Sequence, residues 1–417
     1  MEKTDEPGGG TALSTKSVYA AGTRFQRALG INDSPEQYAK DILRRNGYES
    51  NAELTGRLAE ICDPVVDFLA DVVGVEFTVA DFAFGHSSRR SHSWNADKKI
   101  TDFLFEAVQR EPGIEVRFSS PVRSVTQDVN EAVSGCVTDA GTFQATKVII
   151  ASGGFGASPE LISEYIPAAV GIPLPGHPGS TGDGIRIGIS LGAAVGHMGA
   201  FQPYPAYVGP EKRSVSPEVA ISGGIMVDVH GKRFVDETRY PGGLSAGMLA
   251  LPDKRAFEIF DQRVYERHRD LYDYTLASFR ADGLLKQARD IRDLAIQLEI
   301  DADGLDQTIR ECNELAVGRE DRFGRVLPAP LVGALYGIEV RVALYHTQGG
   351  LEVNNDGQVL RPDRTVIDGL YAGGGAAVGV SGSGMNGYLP GNGQLASLGL
   401  GMITGKHAAE SLKADAG

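Results

Sequence analysis

A chain of 417 residues is long enough for two cores, and its net charge of −14, with Lys and Arg scattered along it, argues against a nucleic-acid binder. Glycine is abundant, 54 residues, well above the usual ~7%, without the strict period of a collagen. No run of ~18 apolar residues offers a membrane span. The start, MEKTDEPGGG, is acidic and unlike a signal peptide. Cys62, Cys136 and Cys312 are odd in number and lack metal-like spacing, which reads as reduced thiols in a cytoplasmic protein.

In chain order, Gly8 to Gly10 form a turn with no strand before it. SPEQYAKDILRRNG predicts a helix with Ser34 and Pro35 at its start and Gly47 as its stop. NAELTGRLAEICDPVVDFLADVVG places apolar residues at helical spacing, and ITDFLFEAVQRE makes another amphipathic helix over 100–111. The period then changes. IEVRF, PVRSVTQD, AVSGCVTD and GTFQATKVIIAS predict four short strands. The last is almost continuously apolar and ends in Ser152-Gly153-Gly154, which suits a buried strand meeting a ligand at its carboxyl end.

GSTGDGIRIGISLGAAVGH predicts a polar Gly-rich loop opening a helix over 183–192. Residues 199–245 are irregular and aromatic, then β-rich, with GIMVDVHGKRFV a hairpin turning at His230-Gly231. Residues 251–316 read as mostly helical, and 335–346 as a strand returning to the first domain. From Tyr345 the chain gives a polar His-Thr, a Gly pair, a hairpin, a strand, a Gly-rich turn and a glycine-bearing helix. That is how backbone is brought close to a flat, phosphate-bearing cofactor. The expected organisation is a core domain from both ends, 1–198 and 347–417, with 199–346 inserted as a cap.

Read in order, EKTDEPGGGTALS, KVIIASGGFG, STGDGIRIGISLGAA, GGIMVDVHGKRFVDET, YHTQGGLEVN and GLYAGG resemble the fumarate reductase/succinate dehydrogenase flavoprotein superfamily, its 3-ketosteroid dehydrogenase branch included. The resemblance covers essentially the whole chain. It implies an α/β fold, a Rossmann-like FAD-binding domain interrupted by an α+β capping domain. It also implies that a strand, a GxGxxG loop and a helix, roughly thirty residues, normally precede Glu2, so that the FAD-binding domain reads as N-terminally truncated. A literal GxGxxG, Gly382 to Gly387, ties no first strand to a helix and reads as coincidence.

Carried over residue by residue, the resemblance puts Glu2, Lys3, Gly8, Gly9, Thr11, Ala12 and Ser14 near ribose, diphosphate and flavin. Val122 would reach the adenine through its backbone, and Ala151, Ser152 and Gly153 would follow the core strand. Asp183 would sit near the ribityl chain, with Gly374, Gly375, Asn392 and Leu395 along the flavin. A helix N-terminus there stabilises negative charge at the flavin's N1–C2=O edge. Gly375 stands where the family often has Glu, and Lys16-Ser17 where a Gly pair is common.

On the substrate side, His346 matches the family's HTxGG histidine, which touches substrate oxygen. Arg239 lies two residues before the position of the fumarate reductases' acid-catalyst Arg, and Tyr240 close to that of the ketosteroid dehydrogenases' catalytic Tyr. Tyr388 stands where fumarate reductases bind a carboxylate with Arg, and Gln202, before Pro203, where they carry His; Tyr204 is near in sequence. Two carboxylates need cationic clamps, bidentate Arg above all. A ketone needs only a donor pair at its oxygen. These substitutions imply FAD-dependent hydride transfer at a CH–CH bond next to a carbonyl, in a ketone or enone that could be steroid-like. The alternatives are reduction of an unsaturated carboxylate and, from another class, a non-catalytic remnant that has lost FAD. HSSRRSHSW, 86–94, is a second anion-binding candidate, with a solvated basic loop as the equal alternative. No haem CxxCH or iron–sulfur spacing occurs, so electrons come from or go to a separate partner.

Overall fold

Ser34 accepts a hydrogen bond from the Gln37 N–H and starts the helix Pro35–Arg45, which buries Tyr38, Ala39, Asp41 and Ile42. Asn51 caps the next helix, Ala52–Phe68, in the same way. That helix continues as a π-helical turn, Leu69–Val73, and stops at Gly74. In the computed structural model, residues 1–14, 16–81, 83, 85–94, 97–209, 213–239, 242–270, 275–316 and 318–415 are described. The chain divides into two compact units: Met1–Val170 with Gly176–Gln202 and His346–Gly417, and Gly171–Pro175 with Pro203–Tyr345. No described helix is long and apolar enough to cross a membrane.

The first unit is organised around a small sheet in the order Gln358–Leu360, Val366–Ala372, Val148–Ile150. The last two strands run parallel, with Leu370, Tyr371 and Ala372 opposite Val148, Ile149 and Ile150. The C-terminal helix Asn392–Asp415 packs on this sheet and on the helix Ala52–Phe68, burying Leu395, Leu400 and Ile403. A second sheet is the antiparallel meander Val122–Gln127, Val133–Thr138, Gly141–Gln144. Gly135 sits in it at φ 155°, where an added Cβ would lie 2.1 Å from the Phe143 carbonyl oxygen. The helix Asp183–Ser190 follows Gly182, two residues shorter than the sequence pattern gives.

Two strand expectations fail. IEVRF forms no strand. Its segment instead exchanges backbone bonds with the first residues of the chain, Glu2 N–H to Arg117 O and Ser119 N–H to Thr4 O, both 2.8 Å. The run GTFQATKVIIAS is two strands in different sheets, Gly141–Gln144 antiparallel and Val148–Ile150 parallel. A continuous apolar pattern does not record such a change of partner.

The chain enters the second unit along the strand Phe201–Val208 and leaves it along Leu335–Thr347. The sheet there has the order Arg213–Ser214, Phe201–Val208, Leu335–Thr347, Arg255–Asp261, Ile225–Val227, and Lys286–Ala288 also pairs with Leu335–Thr347. Strands Arg255–Asp261 and Lys286–Ala288 interrupt the stretch read as mostly helical. The hairpin does turn at His230-Gly231, closed by Asp228 N–H to Lys232 O at 3.0 Å. Residues of Arg255–Asp261 alternate between two cores: Ala256 and Phe260 on one face, Phe257 and Ile259 on the other. Helices Gly242–Leu249, Gln262–His268 and Leu276–Ala281 cover the first face, and Ile291–Leu298 and Ala302–Leu315 the second.

Beside the sheet lies a buried ionic group. Glu237 accepts from Arg233 at 2.9 and 2.7 Å and from the Met226 N–H at 2.9 Å, and it also pairs with Arg325. Arg233 in turn bonds Asp321. Two Arg and two carboxylates leave this group neutral. Glu258 has no such compensation: it is 1% exposed and neither carboxyl oxygen has a partner. Burial, with Glu237 adding to it and Arg325 opposing, pushes its carboxyl up to about 8. In the unfolded chain the same group ionises near 4.5. Between these values the unfolded state binds fewer protons, so the penalty is absent below the lower value and grows as pH rises towards 8. We expect Glu258→Leu to stabilise the chain by about 1–4 kcal/mol at pH 8 and by much less at pH 5, measured by denaturant unfolding. An equal change at both pH values would remove this account of Glu258.

Candidate active site

The carboxyl end of the parallel strand Val148–Ile150 opens onto Ala151 and Ser152, both exposed, then Gly153 at φ 76°. Three backbone segments converge behind this end. A Cβ on Gly154 would lie 2.1 Å from Thr347 Oγ1, and one on Gly375 would lie 2.7 Å from the Gly154 nitrogen. Thr347 Oγ1 accepts the Phe155 N–H at 3.1 Å. Only glycine permits this approach, and it brings HTQGG, the strand end and the 374–376 turn together.

The cofactor candidates fall into connected groups. Glu2 accepts from the Thr4 N–H and hydroxyl at 2.8 and 2.9 Å, and its carbonyl accepts the Ser120 N–H, two residues before Val122. Lys3 donates to Thr181 at 2.6 Å and to Asp183 at 2.7 Å. Burial would raise the Asp183 carboxyl, but Lys3 and Thr181 hold it below its ordinary value. Gly8 caps a short 3-10 turn, Gly9–Leu13, which contains Thr11 and Ala12. A Cβ on Gly9 or Gly10 would meet nothing within 4 Å. Ser14 accepts from Gln394 and so joins this turn to the C-terminal helix. Gly374, at φ 60°, faces Ser397 of the same helix. Leu395 is buried, and its N–H is taken by the Gly391 carbonyl at 2.8 Å.

The first turn of that helix carries two orphaned acceptors. Asn392 is fully buried and Gln394 nearly so, and neither side-chain carbonyl oxygen has a partner among the described residues. Buried acceptors at the start of a 24-residue helix, an open glycine turn and an exposed strand end together form a cradle that fits a flavin nucleotide.

His346 and Tyr388 meet beside this turn, with ring centroids 5.7 Å apart at 71°. A Cβ on Gly393 would lie 2.9 Å from His346 Cε1. Burial pushes His346 down to about 4, so the ring is neutral near pH 7. Burial, with Tyr19 adding to it, raises the Tyr388 hydroxyl well above its usual range. Gln202 lies two residues from Ala200, whose carbonyl accepts the Gln348 N–H at 2.8 Å.

Tyr204, in the second unit, donates its hydroxyl to the Val215 carbonyl at 3.1 Å and packs against Tyr345. Arg239, also in the second unit, is 69% exposed, with Asp236 at 3.5 Å. Tyr240 lies outside the described residues. In HSSRRSHSW, Arg90 is fully buried and bonds Asp33 at 2.7 and 2.8 Å and Asp41 at 2.6 Å. Arg89 bonds the Ala80 carbonyl and Asp81. These arginines are therefore spent on protein acceptors, which corrects the reading of the segment as an anion site. A cavity of about 460 Å³ is lined by Asp41, Arg44, Arg45 and Gly85 and by His86 and Ser87 of this same segment.

Sequence reasoning missed Gln348, Ser381 and Gly393. Gln348 lies inside HTQGG, and Ser381 immediately precedes the literal GxGxxG. That GxGxxG is a loop packed on the 46–49 helix end, with Ser383 N–H donating to Glu49 at 2.7 Å.

The family model described as FAD binding domain matches residues 1–395. The chain is similar to the NADH:fumarate oxidoreductase of Klebsiella pneumoniae (strain 342), 30% identical over 92% of this chain and 42% of that protein. It thus spans less than half of that relative's length. Among solved structures it resembles the open conformation of a flavocytochrome c3 fumarate reductase, with TM-score 0.83, 26% identity, and coverage of 98% of this chain and 73% of that one. It also shares the fold of the 3-ketosteroid-Δ4-(5α)-dehydrogenase from Rhodococcus jostii RHA1 in complex with 4-androstene-3,17-dione, with TM-score 0.77, 23% identity, and coverage of 98% and 90%.

Gly393→Ala is expected to push the His346 ring and lower kcat/KM at least tenfold, about 1.4 kcal/mol. Gly401→Ala, on the same helix with nothing within 4 Å of its Cβ, is the control and should leave kcat/KM unchanged. Equal turnover by both variants would separate Gly393 from the site.

Proposed function

The chain belongs to the FAD binding domain family, and from that premise we propose that it is an FAD-dependent oxidoreductase acting on a C–C bond conjugated to a ketone. The observation that carries this reading is the pairing of His346 with Tyr388, two desolvated groups that are both neutral near pH 7. Such a pair polarises one carbonyl oxygen by hydrogen bonding. It offers no charge to a carboxylate. A dianionic substrate in the same place would lack the cations that offset its desolvation.

When bound, FAD supplies hydride exchange at its ring N5. Glu2, Lys3, Asp183 and the Gly8–Ser14 turn would hold its nucleotide part; Asn392, Gln394 and Gly374 would hold the ring end. Tyr388, kept protonated by its burial, would donate its hydroxyl to the same carbonyl oxygen. Arg239 or Tyr240 would exchange the proton at the neighbouring carbon. In this reading 1–198 and 347–417 form the cofactor domain and 199–346 the capping domain. The small-molecule substrate and the electron donor or acceptor are separate partners.

A second reading, reduction of an unsaturated carboxylate, is favoured by Arg239. Its guanidinium is largely exposed and only loosely held by Asp236, which leaves it free to meet an anion. The similarity to a fumarate oxidoreductase points the same way.

The test begins with an absorbance spectrum of the chain after FAD addition and dialysis, where flavin bands at about one FAD per chain are expected. Turnover of cyclic enones should then exceed that of fumarate. Tyr388→Phe should lower enone kcat/KM by about 10²–10³. Faster fumarate turnover, unaffected by Tyr388→Phe, would favour the carboxylate reading and end the ketone one.

A further inference from the structure

His346 can carry its proton on either ring nitrogen, and the choice decides whether the ring meets a substrate oxygen as donor or acceptor. Nδ1 is 2.8 Å from Gln348 Nε2 and 3.4 Å from the Thr347 carbonyl, a poor distance for a bond. Among the described residues Nε2 has no hydrogen-bond partner. No charged side chain bonds the ring, and Tyr388 is the titratable group against it.

Gln348 is itself held. Its Oε1 accepts from the Ser381 hydroxyl at 2.9 Å, and Ser381 Oγ accepts from Asn392 Nδ2 at 3.0 Å. Gln348, Ser381 and Asn392 are 5%, 1% and 0% exposed, so solvent cannot substitute for these bonds. The chain of bonds has a direction. Run from Asn392 to His346, it ends with an amide N–H pointing at Nδ1 and leaves Asn392 Oδ1 and that amide's second N–H without a partner among the described residues. Reversed, it would require a proton on Nδ1 and would leave both N–H groups of the buried Asn392 amide unpaired. The atoms stand in the first direction: Asn392 Nδ2, not Oδ1, faces Ser381 Oγ, and Gln348 Nε2, not Oε1, faces His346 Nδ1.

We propose that the Asn392–Ser381–Gln348 chain is a positioning device that holds His346 as its neutral Nε2–H tautomer, so that the ring acts on a carbonyl oxygen as a hydrogen-bond donor and not as a base. The proposal rests on the ketone reading for its purpose, but the tautomer itself does not depend on turnover. Gln348 is the residue that decides: its amide N–H also opposes a second proton on the ring, in keeping with the low proton affinity of His346. Replacing that donor by an acceptor should reverse both properties.

The experiment is ¹⁵N NMR of the full chain labelled at histidine, with the His346 signals assigned by their loss in His346→Asn. The wild-type ring is expected to be neutral at pH 7 with its proton on Nε2. Gln348→Glu should raise the ring's proton affinity at least 100-fold, so that it is an imidazolium at pH 5, where the wild-type ring is neutral. Gln348→Leu and the milder Ser381→Ala should give a mixture of tautomers, with thermal unfolding reporting that each variant is folded. A wild-type Nδ1–H ring, or an Nε2–H ring unmoved in every folded variant, would overturn the proposal. An Nε2–H ring in a chain that ignores enones would sink the ketone reading and leave the positioning role standing. Enone turnover with an Nδ1–H ring would do the reverse.

Discussion

The first unit depends on one steric constraint: three backbone segments approach more closely than any side chain allows. The strand end at Gly153-Gly154, HTQGG and the 374–376 turn are stacked so that a Cβ on Gly154, Gly350 or Gly375 would lie within 2.1–2.7 Å of its neighbour. Hydrogen in place of Cβ lets the strand end, the histidine segment and the C-terminal helix share one small volume. The abundance of glycine in this chain is thus partly the cost of converging backbone on a site. Substituting these positions would not remove a contact; it would separate the elements that carry His346, Gln348 and Asn392.

A second regularity is the disposal of charge. Arg90 is consumed by Asp33 and Asp41, and Arg233 and Arg325 by Glu237 and Asp321. Breaking either group would strand a buried charge, worth about 3–5 kcal/mol. Arg45 differs. It is exposed, and its Nε donates to the Tyr388 carbonyl at 3.2 Å. The buried arginines therefore serve the fold, and the His346–Tyr388 pair is left neutral.

Much of this was legible in the sequence, for reasons that differ by element. Helices with Ser34 or Asn51 before them announce their starts, because a cap is a local interaction. The order of motifs gave the flavoprotein family, since glycine-bearing turns at fixed places reflect the steric constraint directly. What was not legible is non-local. GTFQATKVIIAS changes sheets midway, and IEVRF finds its partners at the chain's start. Arg89 and Arg90 read as a basic loop, because nothing in HSSRRSHSW shows that Asp33 and Asp41 lie against Arg90. Ser381 and Gln348 are 33 residues apart, and only the fold makes them one chain of bonds.

The neutrality of His346 and Tyr388 also settles how this pair behaves with pH. A group titrates where its charged form becomes affordable, and burial moves that point away from neutrality in opposite senses for an imidazole and a phenol. His346 gains its second proton only near 4, and Tyr388 loses its proton only above the usual phenol range. Between those limits neither changes charge. Any pH dependence of turnover from about 5 to 9 must then arise elsewhere, in the group that exchanges the proton at carbon or in the cofactor itself. Fixed neutrality suits a group that must polarise an oxygen at every turnover, because it need never return to its starting state. Proton exchange at carbon requires the opposite, a group that gains and loses a proton each cycle. The two roles therefore call for different residues, and the role proposed for His346 and Tyr388 is the first.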